Sequence, residues 1–237
     1  MLVLQLIKNL ALDILFPPLC LSCNSHLDKS YKHKVVCSRC LDKIPVYDCL
    51  FCPVCLARVP EKKHCHPKIR YLLAAATHYD NEIVKKIIWK FKYEGWLSAA
   101  EPLLELTKSY LKKLPASGKG FIIIPIPLHK TKEFQRGFNQ SFILAKGVSR
   151  HLGAELVHDN LTRAKNTKTQ KELKDYSERE KNMKGAFSLN RSEELNGQSV
   201  ILVDDVFTSG ATLNEAVAVL KSAGAKKIIA LVLARAR

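Results

Sequence analysis

Beyond Cys65 this 237-residue chain has no cysteine, so all eight cysteines lie between Cys20 and Cys65. The opening segment, MLVLQLIKNLALDILFPP, has no basic leader and no small-residue cleavage site, which argues against a secretory signal. Lys8 and Asp13 interrupt its apolar run, which is also too short to span a bilayer. No internal repeat is visible beyond the CxxC pairs, and there is no long low-complexity tract. These absences point to a reducing, cytoplasmic setting, in which clustered cysteines mean metal rather than disulfides. Leu4, Ile7, Leu10, Ala11 and Ile14 do recur at helical spacing ahead of Pro17 and Pro18. They predict an amphipathic helix over residues 1–19 that packs on the rest of the protein, with a membrane-surface role as the alternative.

Negative charge is scarce: 22 acidic side chains stand against 38 lysines and arginines, a formal charge of +16. A four-thiolate zinc site would lower that total by two. The remaining excess favours an anionic partner, whether nucleic acid, a phosphorylated metabolite or a membrane surface, although a solvated basic surface reads the same way. A hydrophobic share of 47% is ordinary for a globular protein and supplies a sizeable core.

Three regions follow: the leading helix, a cysteine-rich module over residues 20–66, and an α/β region over residues 71–237. In the last, YLLAAATHY (71–79), FIIIPIP (121–127), SVILV (199–203) and KKIIALVLA (226–234) read as buried strands. Helices are expected over residues 81–95, 97–114, 139–151 and 211–222. Strands apolar on both faces and separated by helices indicate a doubly wound, mostly parallel sheet.

The strand at residues 199–203 runs straight into Asp204, Asp205, Val206, Phe207, Thr208, Ser209, Gly210, Ala211 and Thr212 before a helix begins. The carboxyl end of a strand in an open α/β sheet is where ligands bind. A Gly/Ser/Thr turn opening a helix presents hydroxyls, free N–H groups and a positive dipole end to a phosphate. Two adjacent carboxylates suit the hydroxyls of a ribose. The bland reading is a capped strand–turn–helix. This stretch resembles the phosphoribosyl diphosphate (PRPP) motif of type I phosphoribosyltransferases. The resemblance implies that Asp204 and Asp205 hold the ribose hydroxyls, and that Thr208 to Thr212, next to Val206, wrap the 5′-phosphate.

Cys20-x₂-Cys23 and Cys37-x₂-Cys40 form two knuckles that can place four thiolates on one structural Zn²⁺, with redox CxxC chemistry as the alternative. A second set comprises Cys49, Cys52, Cys55 and Cys65, with His64 and His66 beside the last. It could hold a second Zn²⁺ through four cysteines or through three and a histidine. Lys68 stands where a closing CxxC would need its thiol, so buried or free cysteines are the equal alternative.

Two polar stretches look like more than scaffold: PIPLHKTKEFQRGFNQ (125–140), read as strand, basic loop and helix, and the lysine-rich run over residues 161–182. Exposed basic loops of this kind meet a diphosphate or a nucleic-acid backbone equally well, and a solvated helix over residues 171–182 is the plain alternative. In order, the marks are the two CxxC pairs, Lys90-Phe91-Lys92-Tyr93-x-Gly95, Pro125-x-Pro127-Leu128, Arg136-Gly137-Phe138-Asn139-Gln140, then Arg163, Thr167, Gln170, Leu173, Arg179, Asn182, Ala186-Phe187 and the loop above. This set resembles the ComF family, a zinc ribbon joined to a type I phosphoribosyltransferase-like domain. The resemblance implies PRPP with Mg²⁺ as ligand, DNA uptake in natural transformation as role, and single-stranded DNA with the uptake machinery as partners. His129, Lys130, Arg136 and Arg163 are the candidates for the diphosphate side, with Arg136, Asp204 and Asp205 expected to carry any catalysis. A metabolic phosphoribosyltransferase, or a non-catalytic sensor, fits the same residues.

Overall fold

The computed structural model describes residues 17–27, 35–59, 66, 69–114, 120–165, 167 and 176–236. The helix expected over residues 1–19 falls almost wholly outside these, as do Gln170 and Leu173. In chain order the elements are α1 (Ser38–Asp42), β1 (Leu50–Phe51), β2 (Arg58–Val59), β3 (Leu72–His78), α2 (Glu82–Tyr93), α3 (Ala100–Lys113) and β4 (Phe121–Pro125). They continue as α4 (Lys130–Arg136), α5 (Gln140–Leu152), β5 (Leu161–Arg163), α6 (Tyr176–Met183), β6 (Phe187–Leu189), β7 (Ser199–Phe207), α7 (Ala211–Ser222) and β8 (Lys227–Arg235).

One six-stranded sheet in the order β2-β1-β3-β8-β7-β4 organises the chain. Its β3, β8, β7 and β4 are parallel, while β1 and β2 are antiparallel additions at the edge. Alternation along the buried strands sorts side chains onto two faces, as period-two geometry requires. Ile201 and Val203 join α2, α3 and α5 in one core, through Val84, Ile87, Phe91, Leu103, Leu106, Leu144 and Val148. Val200 and Leu202 face the other way, onto Leu213, Ala216, Val217 and Leu220 of α7 and onto Phe187. β5 and β6 pair as a separate antiparallel ribbon on that second side.

The cysteine-rich segment is not set apart. Its β1–β2 hairpin extends the main sheet, and Cys20, Leu27, Val35, Val36, Cys37 and Leu41 belong to the first core. Thr77 donates to the Pro45 carbonyl at 2.6 Å and buried Tyr110 to the Cys49 carbonyl at 2.8 Å. No CxxC arithmetic could foretell this, because edge pairing depends on which strand the fold leaves open.

Residues 129–137 depart from the expected basic loop. They form α4, capped by His129, whose Nδ1 accepts from the Thr131 amide at 3.3 Å, and closed by Gly137 at φ +83°. A left-handed residue after a short basic helix is a standard stop, which only glycine takes without strain. β7 also runs four residues past the apolar stretch. Asp204, Val206 and Phe207 stay in register with Val232, Ala234 and Arg235 of β8. Ladder hydrogen bonds ignore side-chain polarity, so the two acids sit in the strand itself.

Candidate functional site

At the carboxyl ends of β4 and β7 lies a cavity of about 350 Å³. Asp204, Asp205, Val206, Thr208 and Thr212 line it from the β7–α7 turn, Lys132 and Arg136 from α4, Gln140 and Ser141 from α5, and Arg163 from β5. Trp89, Lys92 and Tyr93 of α2 and Arg179 and Met183 of α6 also line it, with apolar Ile88, Ile126 and Leu128 and Tyr79 filling the remaining wall. The sequence-predicted Arg136, Arg163, Asp204 and Asp205 thus meet in one place. His129 and Lys130 stand outside the lining: His129 is spent on its helix cap, and Lys130 starts that helix exposed to solvent.

The Arg136–Gln140 run supplies much of this convergence. Arg136 ends α4 with its guanidinium 5.7 Å from the Tyr93 ring. Phe138 packs 5.3 Å from Phe91, so the segment is held against α2. Buried Asn139 caps α5 by accepting from the Ser141 amide at 3.0 Å, and donates to the Ile126 carbonyl at 3.0 Å. Gln140 and Ser141 are thereby delivered to the two acids: Gln140 Nε2 donates to Asp205 at 3.4 Å and the Ser141 hydroxyl to Asp204 at 3.0 Å.

Electrostatics set the two carboxyls apart. Burial, then the charge of Asp205, pushes Asp204 up to about 6. Asp205 instead holds Lys92 Nζ at 2.6 Å. Burial pulls the Lys92 ammonium down, but the charge and hydrogen bond of Asp205 outweigh it and the net shift is upward. Burial lowers the pKa of Arg136 and Arg163, opposed by Asp205 and Asp204 respectively. Both remain cations, yet Arg136 Nη1 and Arg163 Nε are buried and make no hydrogen bond among the described residues. A guanidinium N–H held so is a charged donor that can serve an anionic group entering the cavity.

Ser209, Gly210 and Ala211 form the turn that opens α7. Gly210 adopts φ +78° and has no side chain to cap the helix; the Ala211 amide that opens α7 donates instead to the Ser209 hydroxyl at 3.4 Å. A Cβ there would stand 3.0 Å from the Phe207 ring. Gly210→Ala is therefore expected to cost about 1–3 kcal/mol in urea denaturation, from left-handed strain plus the ring contact.

In the cysteine-rich segment, the sulfurs of Cys20, Cys23, Cys37 and Cys40 all lie within 4.8 Å of one another. Cys23 and Cys37 are 3.7 Å apart. Zn–S bonds of about 2.3 Å in a tetrahedron require sulfurs about 3.8 Å apart, so the set fits structural Zn²⁺. Cys52, Cys55 and His66 form a second group within the same limit, with Cys52 Sγ 3.4 Å from His66 Nδ1. Cys49 stands outside it, its thiol raised by burial against the core. Cys65 and His64 lie outside the described residues.

Lys92, Gln140 and Arg179 were visible in the sequence only as family marks without a role. Lys132 belongs to the basic stretch singled out over residues 125–140, whereas Ser141 and Trp89 carry no sequence signal, since each depends on how α2 and α5 pack around β7.

Comparison with known proteins agrees with this layout. Residues 139–237 match the Phosphoribosyl transferase domain and residues 11–67 the Double zinc ribbon domain. "Competence protein F" of Haemophilus influenzae is 31% identical over 228 residues, 92% of this chain and 85% of that protein. "Competence protein ComFC" of Bacillus subtilis is 29% identical over 207 residues, 86% and 78% respectively. "DNA utilization protein YhgH" of Escherichia coli K12 is 35% identical over 106 residues, 45% of each chain. With both family domains matched in this chain and most of two competence proteins aligned at about 30% identity, the chain belongs to the ComF family, a double zinc ribbon joined to a phosphoribosyltransferase domain.

Proposed function

We propose that this protein binds PRPP, or another ribose 5-phosphate ligand, with Mg²⁺ at the β7–α7 turn, and acts in the cytoplasm on incoming single-stranded DNA during natural transformation. One observation carries the ligand: two carboxylates, a helix N-terminus and two half-buried arginines, each with a buried N–H to spare, converge on one cavity. In this reading Asp204 and Asp205 accept hydrogen bonds from the ribose hydroxyls. The amides and hydroxyls of Thr208, Ser209, Gly210, Ala211 and Thr212, flanked by Val206, surround the 5′-phosphate. Arg136 and Arg163 face the diphosphate, the side on which charge builds if an acceptor's lone pair bonds to ribose C1 while the C1–O bond to diphosphate breaks. Mg²⁺ would neutralise that leaving group, and the paired acids fit a cation nearby, since Asp204 is driven towards its neutral form without one. The names of the relatives, two competence proteins and a DNA utilization protein, support the physiological half.

Calorimetric titration of PRPP with Mg²⁺ tests the ligand: saturable heat is expected, and a flat titration of folded protein refutes it. Diphosphate release on adding bases, nucleosides or DNA separates a transferase from a sensor. Loss of transformation in a strain carrying folded Asp204→Asn/Asp205→Asn protein would tie the cavity to DNA uptake.

A further inference from the structure

Both tryptophans of the chain, Trp89 and Trp96, fall in one short stretch and both are open to solvent. α2 meets the demands of the core with Val84, Ile87, Ile88 and Phe91. Its other side presents Trp89 and Tyr93, each 49% exposed, followed by Trp96 at 40% and Leu97 at 56%. So much aromatic surface left in water marks a binding surface rather than a packing accident.

Cations are interleaved with these rings. Lys90 Nζ lies 4.7 Å from the Trp96 ring, while its charge is shared with Glu94 at 2.6 Å. Arg136 reaches the Tyr93 ring from α4. α2 itself carries Lys85, Lys86, Lys90 and Lys92 against Glu82 alone, with Glu94 at its end. On α4, Phe134 is 90% exposed on the same helix as Lys132 and Arg136. Trp89 and Tyr93 sit 4.5 Å apart and also line the cavity, so this surface is continuous with the rim of the ribose-phosphate site.

Aromatic faces accept the π-faces of bases, and alternating cations track a phosphate backbone. Duplex bases hide those faces, so the pattern suits a single strand. We infer that Trp89, Tyr93 and Trp96 form the stacking surface for single-stranded DNA, with Lys85, Lys86 and Lys90 of α2 along its backbone. The assignment rests on the proposed DNA contact and locates it beside the cavity rather than on the zinc ribbon.

The test uses full-length protein and fluorescein-labelled oligodeoxythymidylate of twenty residues in anisotropy titrations, with tryptophan emission read in parallel on the unlabelled strand. Because both tryptophans stand here, wild-type emission should quench on binding, and an abasic strand of the same length should bind more weakly without quenching. Trp89→Ala/Trp96→Ala should lose about tenfold or more in affinity, and Trp89→Phe/Trp96→Phe should recover most of it. Melting curves check that each variant folds. Wild-type binding without quenching, or undiminished in the alanine variant, overturns this surface and leaves DNA contact standing. No binding of the strand by wild-type protein overturns both.

Discussion

Asp204→Asn with Asp205→Asn is expected to weaken PRPP·Mg²⁺ binding by at least about a hundredfold, since hydrogen bonds to charged groups contribute roughly 1.5–3 kcal/mol each. Calorimetry on both proteins measures it; a loss below tenfold would move the ribose elsewhere. The single variants separate binding from folding. Asp204→Asn leaves the Lys92–Asp205 pair whole and should fold normally. Asp205→Asn strips a mostly buried ammonium of its carboxylate, a change on the order of 2–4 kcal/mol, and should also unfold at lower urea.

Asp204 adds a pH signature. Its carboxyl is raised from 3.8 to about 6 by burial and by Asp205, so the folded chain holds that proton more tightly than the unfolded one. Between those values the folded state binds more protons, and stability from this group falls as pH rises through the window. Ligand and Mg²⁺ favour the ionised form, so their affinity should climb about tenfold from pH 5 to pH 7. Asp204→Asn, measured beside wild type, should show only the ligand's own titration; an identical slope would remove Asp204 from the site.

Removal of zinc should have an effect at least as large. Structural Zn²⁺ contributes about 10–16 kcal/mol of apparent binding energy in small ribbons, energy that is also folding energy. Here three of its four cysteines, Cys20, Cys37 and Cys40, are buried in the core shared with α2 and α3. Stripping the metal, or Cys37→Ser, should therefore lower the melting temperature of the whole chain, not of the ribbon alone. Metal analysis with scanning calorimetry measures both. A metal-free protein melting as the native one does would refute the zinc reading. Cys52→Ser asks the same of the second group, where only zinc bound by Cys52, Cys55 and His66 should be lost.

The PRPP-like loop was legible because its chemistry is contiguous: strand, acids, turn and helix follow one another from Val200 to Thr212. The first zinc site was legible for a similar reason, since CxxC spacing itself positions two sulfurs. Less could be read where partners are distant. Arg136 and Gln140 were marked, but Gly137 and Asn139 had to turn the chain before Gln140 could touch Asp205. Lys92 lies more than a hundred residues from the carboxylate it holds. Cys49 shows the converse: close spacing marks it as a candidate ligand, and the fold packs it partly against the core, next to Leu50, which pairs with Ala74, apart from the Cys52, Cys55 and His66 group.

By itself, then, the sequence determined the doubly wound α/β class, the acidic strand–turn–helix of residues 200–212 and the two CxxC pairs whose four sulfurs meet, all set by local spacing and periodicity. Only the tertiary structure decided that the ribbon shares its core with the sheet, that Lys92 and Ser141 divide the two acids between them, and that both tryptophans face solvent beside the cavity. Those outcomes depend on which faces of α2, α4 and α5 the packing against β7 leaves open, and no local pattern encodes that choice.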